Sequence, residues 1–217
     1  MPRVILIAGA GGPAGQAVVR RFAAQGDTVI GVDRSGADGS LPVDLLDQAA
    51  VQQLAERIKT EHGRVDGLIH LVGGWRGSKT FAETSLADWA FLHDLLIRTL
   101  QHVTLAFEPL LRASEDGRFA IVSAKAAQHP TQGNAAYASA KAAAEAWTLA
   151  FADALKGGSS AAAVLVVTAL VHDAMRAADP GRAFKGFTDV ADLATALTDL
   201  WSRPAAEVNG RRIDLTG

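Results

Sequence analysis

The sequence predicts an α/β protein with one domain over residues 1–217, built on a doubly wound parallel sheet of about seven strands. Three observations predict this. Short β-rich apolar runs alternate with longer stretches of helical periodicity, the pattern of strands joined by crossover helices. The strands read as near-continuous apolar runs, as in a sheet covered on both faces. No stretch rich in Pro, Gly or Ser divides the chain and no internal repeat appears; 217 residues, 49% of them hydrophobic, are enough for one core.

The elements follow in order. Val4–Ala8 is a strand that runs into the cluster Gly9-Ala10-Gly11-Gly12-Pro13-Ala14-Gly15, and residues 14–25 carry helical spacing (Val18, Val19, Phe22) stopped by Gly26. Thr28–Val32 is a strand closed by Asp33. Leu41–Val43 is a short extended piece leading to Asp44, and residues 47–61 form an amphipathic helix (Val51, Leu54, Ile58). Gly67–Val72 is a strand followed by Gly73-Gly74-Trp75, and one long helix is expected from Leu86 to Arg112. Phe119–Val122 is a buried strand, and residues 134–156 form an alanine-rich helix ended by Gly157-Gly158. Ala162–Val167, a helix over 189–202 and a strand at Arg212–Leu215 complete the pattern. Ligands of doubly wound sheets gather at the carboxyl ends of the strands.

Composition narrows the function. The net charge is −2 and no block of lysine and arginine appears, which argues against nucleic-acid and membrane-surface partners. There is no cysteine, and no two of the six histidines stand at i, i+4 spacing, so no metal site is expected. The apolar run Val4–Ala8 is too short for a signal sequence or a membrane span, and a cytoplasmic protein is expected.

Two segments carry chemistry. The glycines at 9, 12 and 15, with the looser spacing Gly9-x-Gly11-x-x-Ala14, lie between a strand and a helix. Small residues there let the backbone approach a pyrophosphate, and the helix offers free N–H groups and the positive end of its dipole. Pro13 is acceptable at the start of a helix. Asp33, at the end of the next strand, suits the adenosine ribose hydroxyls and repels a 2′-phosphate, favouring NAD(H). Arg34 beside it suits that phosphate and keeps NADP(H) as the alternative. Asp44 is a candidate for the adenine amino group and equally a turn or cap acid.

The second segment is Tyr137-Ala138-Ser139-Ala140-Lys141. Tyrosine and lysine four apart share a helix face. A neighbouring ammonium stabilises a phenolate, so the pair is expected to pass a proton near neutrality.

Together these segments resemble the short-chain dehydrogenase/reductase family over the whole chain, which implies a Rossmann-like fold. Gly73-Gly74-Trp75, Ser123-Ala124-Lys125-Ala126-Ala127 and Tyr137–Lys141 look like the dihydropteridine reductase branch. The resemblance implies Tyr137 and Lys141 as catalytic residues and the glycine loop, Asp33, Arg34, Asp44, Val72, Gly73, Gly74, Thr168 and Val171 as cofactor contacts. It further implies a small-molecule substrate near Ala124; Trp75 reads equally as a ring that stacks on the substrate or as a packing residue, and His129 as a pocket residue or, in preference, an exposed loop histidine. It also implies a substrate lid over residues 171–188, and a homodimer or homotetramer. Its interface would use the long helix and the catalytic helix, where Trp147 and Phe151 either serve the contact or pack on the sheet.

The departures are informative. The position 13 before the tyrosine, where the family carries a serine, holds Ala124, and Ser123 reaches the site only if the loop is longer by one residue. Leu96 stands where the family's relay asparagine falls, Thr168-Ala169 replaces Pro-Gly, and Asp173 replaces a threonine. The expected activity is NAD(P)H-dependent hydride transfer to a small conjugated or carbonyl compound, such as a quinonoid dihydropterin. The alternatives are a carbonyl or 3-oxoacyl reductase that uses Ser123, and a non-catalytic NAD(P)-sensing protein.

Overall fold

The computed structural model describes residues 2–216. Its central sheet has seven parallel strands: β1 (Val4–Ala8), β2 (Thr28–Asp33), β3 (Leu41–Pro42), β4 (Gly67–His70), β5 (Arg118–Ala124), β6 (Ala161–Val167) and β9 (Arg211–Asp214). Their spatial order is β3-β2-β1-β4-β5-β6-β9. The chain reverses its direction of travel between β1 and β4, and there the loops leaving the two strands diverge to open a crevice. Two further short strands, β7 (Leu170–Val171) and β8 (Thr188–Asp189), pair with each other outside the main sheet; neither is visible as an apolar run.

Period-two alternation sorts the strand side chains into two layers. Leu6, Leu68, Phe119, Ile121 and Val164 face α2 (Gln48–His62), α4 (Thr99–Arg112) and α5 (Ala135–Ala154). Ile5, Ile7, Ile69, Ala120 and Leu165 face α1 (Pro13–Ala24) and α7 (Val190–Thr198). Helix starts are fixed locally: Pro13 opens α1, the Asp47 carboxylate accepts from Ala49 and Ala50 N–H at the head of α2, and Asp189 caps α7 through Ala191 N–H.

The structure changes several expected boundaries. The fourth strand stops at His70 rather than Val72, because after Leu71 N–H bonds to Ala8 O the chain turns away across the glycine loop. The expected helix over 86–112 is broken: α3 (Leu86–His93) passes into a π turn at Asp94–Arg98 before α4 begins. The helix expected over 189–202 ends at Thr198 and finishes as a 3-10 turn. Residues 171–188 hold a short helix, α6 (Asp173–Ala178), and α8 (Ala205–Val208) precedes the last strand. Among the described residues, no helix is long and apolar enough to cross a membrane.

The amino-end of the sheet is pinned by buried charge. Arg118 is 1% exposed and donates to Gly117 O, Leu200 O and Arg203 O while pairing with Asp116 at 2.7 Å. Gly117 O keeps its bond from Ala161 N–H, but removing the guanidinium takes the donor from Leu200 O and Arg203 O and leaves Asp116 without its partner. Arg118→Leu is therefore expected to destabilise the fold by about 3 kcal/mol. Urea unfolding measures this, and a change below about 1 kcal/mol would show that solvent reaches the carbonyls.

Candidate functional site

The crevice is built where the glycine loop meets the chain leaving β4. Gly9 has φ +86°, and a Cβ on it would lie 2.9 Å from Leu71 C and Val72 N. A Cβ on Gly15 would sit 2.2 Å from Gly9 O, so any side chain there would force the loop off the helix. Gly11 faces the Asp33 carboxylate, which a Cβ would meet at 2.8 Å. Gly12 differs: its Cβ would find only Gly9 O, at 3.8 Å. The protein does not need the Gly12 space for its own packing. That space lies at the head of α1, where no side chain caps the helix and the amides of the first turn have no intrahelical acceptor. Free donors beside an open cradle fit the pyrophosphate of a dinucleotide.

Asp33 accepts hydrogen bonds from Ser35 N–H and Ser35 Oγ at 2.9 and 2.7 Å. The backbone bond from Ser35, then the hydroxyl, hold the carboxyl below the ordinary carboxylate range, so it is ionised at the mouth of the crevice. Arg34 is exposed and makes no side-chain bond among the described residues. Asp44 is exposed, and its carboxylate accepts from Leu46 N–H at 3.0 Å, so it is engaged as a turn acid.

Tyr137 and Lys141 lie on the face of α5 that meets the carboxyl end of β5. Lys141 is 8% exposed; its Nζ donates to Val122 O at 2.8 Å and stands 5.9 Å from the centre of the Tyr137 ring. Burial lowers the lysine to about 8, opposed by the Glu145 carboxylate one turn further along the helix. Burial raises the Tyr137 phenol to about 12. This differs from the expectation that the lysine lowers the phenol. Loss of water dominates at Tyr137, and the ammonium is turned towards a backbone carbonyl. The phenol is therefore held in its proton-carrying form.

Ser123 stands corrected as a catalytic candidate. It is 1% exposed and its Oγ donates to Glu145 Oε1 at 2.5 Å. Adjacent strand residues point to opposite faces, and Ser123 points beneath α5 rather than into the crevice. Glu145 also takes a two-pronged ion pair from Arg212 of β9, Nε to Oε2 at 2.8 Å and Nη2 to Oε1 at 3.1 Å. Sequence reasoning missed this trio, although Glu145 four positions after Lys141 was a legible hint.

The remaining candidates divide. Gly73 and Gly74 carry the chain past the crevice, with Gly74 against Leu95; Trp75 is 61% exposed there, and Val72 packs into the core. Thr168 is exposed at the end of β6, whereas the Val171 side chain is buried and its backbone pairs in register with Asp189 of β8. Ala124 is buried. His129 is exposed on the loop after β5. Trp147 donates to Thr104 Oγ1 and Phe151 packs edge-on against Phe119, so both pack inward. No cluster of three or more metal-ligating side chains occurs among the described residues.

The short chain dehydrogenase family model matches residues 3–180. The chain belongs to this family. A benzil reductase ((S)-benzoin forming) of Saccharomyces cerevisiae is 28% identical over 163 residues, 66% of this chain and 62% of the relative. A dihydropteridine reductase of Dictyostelium discoideum is 26% identical over 146 residues, with 66% and 62% covered. The chain thus spans about three-fifths of the length of the curated relatives it matches. A short chain dehydrogenase from Shigella flexneri 2a str. 301, complexed with NADP, shares the fold with a TM-score of 0.82 and 23% identity, covering 98% of this chain and 96% of the other.

Because Glu145 supports the ammonium form of Lys141, removing its charge should lower the lysine further. A proton-transfer rate that requires charged Lys141 falls as pH rises through about 8. In Glu145→Gln that fall should begin at lower pH, read from the pH dependence of kcat.

Proposed function

We propose that the protein is an NAD(P)H-dependent reductase of a small conjugated or carbonyl compound, with NADH as the favoured reductant and a quinonoid dihydropterin as the best substrate class. The observation that carries this reading is the pair of half-buried Tyr137 and buried Lys141 on one face of α5, at the same end of the sheet as the open cradle over Gly12. A nicotinamide dinucleotide, when bound, supplies the hydride.

This chain's residues do the rest. The α1 amides and the glycine loop hold the pyrophosphate, and Asp33 accepts from the adenosine ribose hydroxyls. Tyr137 donates its phenolic proton to the substrate oxygen or nitrogen that receives the π electron pair as hydride adds at the other end of the conjugated bond, and Lys141 keeps a positive charge beside the phenolate as it forms. With its phenol raised to about 12 by burial, Tyr137 carries its proton at neutral pH. With its hydroxyl bonded to Glu145, Ser123 is not aimed at a substrate carbonyl, which supports an acceptor that does not require it. Exposed Trp75 offers a flat face for a bicyclic ring. Leu105 and Leu149, exposed on α4 and α5, support a homo-oligomer through those helices.

The first test is oxidation of NADH and NADPH with quinonoid dihydropterin and a simple diketone as parallel acceptors. Turnover with the pterin supports the reading; tight dinucleotide binding without turnover supports the sensor alternative. Tyr137→Phe should lower kcat by at least about 100-fold while leaving the dinucleotide Kd within about twofold. Wild-type rates in that variant would remove Tyr137 from the reaction.

Asp33 gives a separate prediction. Removing a charged acceptor of the ribose costs about 1.5 to 3 kcal/mol. Asp33→Ala should therefore shift the ratio of kcat/KM for NADPH over NADH upwards by roughly tenfold or more. An unchanged ratio would mean that Arg34, not Asp33, sets the preference.

A further inference from the structure

The last residue of β4 carries a polar atom that the proposed reaction has not used. His70 is 4% exposed, between Ala8 of β1 and Ile121 of β5 in the sheet register. Its Nε2 lies 3.3 Å from Thr99 Oγ1, and its Nδ1 has no hydrogen-bond partner among the described residues.

The π turn fixes the tautomer. Thr99 N–H bonds to Asp94 O, and the Thr99 hydroxyl donates its single proton to Leu95 O at 2.8 Å. The hydroxyl oxygen can then only accept from His70, so Nε2 carries the hydrogen and Nδ1 presents a bare lone pair. Burial and the nearby Lys141 charge both hold the ring neutral.

The complement of that lone pair lies one residue along the neighbouring strand. Lys141 Nζ has three hydrogens, and its bond to Val122 O uses one; His70 is in register with Ile121, next to Val122. A buried ammonium with donors to spare and a buried imidazole with an acceptor to spare thus share one region, too far apart for a direct bond. One water with these two partners would satisfy both.

We propose that His70 is a positioning residue for Lys141: through one buried water, Nδ1 accepts a hydrogen bond from the ammonium and holds it between Val122 and Tyr137. The titratable groups around the pair are Lys141, Tyr137 and Glu145 of α5, and Arg212 of β9, which pairs with Glu145. Ala8, Ile121, Leu95 and Thr99 bring none, and Asp94 and Arg98 of the π turn pair with each other at the surface.

The proposal rests on Tyr137 and Lys141 being the proton-transfer pair, and its test has one arm that does not. In that arm, the ¹⁵N resonance of His70 Nδ1 is compared between the wild-type protein and Lys141→Met, with folding checked by thermal unfolding. A clear move is expected when the donor is lost; an unchanged Nδ1 resonance would overturn the hydrogen bond, whatever the substrate proves to be.

The second arm is kinetic. His70→Asn keeps an acceptor where Nδ1 stands, and His70→Leu removes it. The alkaline fall of kcat should start about one pH unit lower in His70→Leu and return close to wild type in His70→Asn. An unmoved fall in His70→Leu, or an equal shift in both variants, would reduce His70 to a packing residue. Absence of turnover in every form would fail the proposed activity while leaving the resonance arm to decide the hydrogen bond.

Discussion

The approach of the first loop to the first helix and to the chain leaving β4 is the constraint on which the rest depends. Gly15 lets the head of α1 close on Gly9, and Gly9 lets that loop close on Leu71 and Val72. Both contacts are backbone against backbone, with no room for a side chain to yield. They place free helix amides, the turn after β2 and the chain after β4 around one crevice. The same closeness ends β4 at His70, which sets the histidine at the carboxyl end of a central strand, against Thr99 of α4.

A second layer of organisation comes from α5. Tyr137, Lys141 and Glu145 recur at four-residue spacing along one face, and each meets a different partner: the crevice, the carbonyl of Val122, and Arg212 of the edge strand. A bidentate ion pair at the far sheet edge is therefore in electrostatic contact with the lysine. The charge state of the site is set by groups that do not face the crevice.

Much of this was legible in the residues. Strand and helix alternation is a local, periodic signal, and it located all seven strands of the main sheet, the glycine loop and the helix bearing the Tyr–Lys pair. The π turn was not legible, since Leu92, Leu96 and Leu100 keep helical spacing straight through it. The side of β5 taken by Ser123 depends on a one-residue register, which composition does not encode. Arg212 reaches Glu145 across 67 positions, and His70 gains meaning only from a hydroxyl whose proton is already spent. Pairings of this kind belong to topology, and periodicity is blind to them.

Lys141 has a further consequence, in the currency of stability. Its folded pKa lies below that of a lysine in water, so at neutral pH the charged form is disfavoured by folding. The native state carries this amine as a burden that an apolar side chain of similar length would lift. Function and robustness are thus set against each other at one position. Selection for heat tolerance alone would be drawn to replace the very residue on which the proposed chemistry turns.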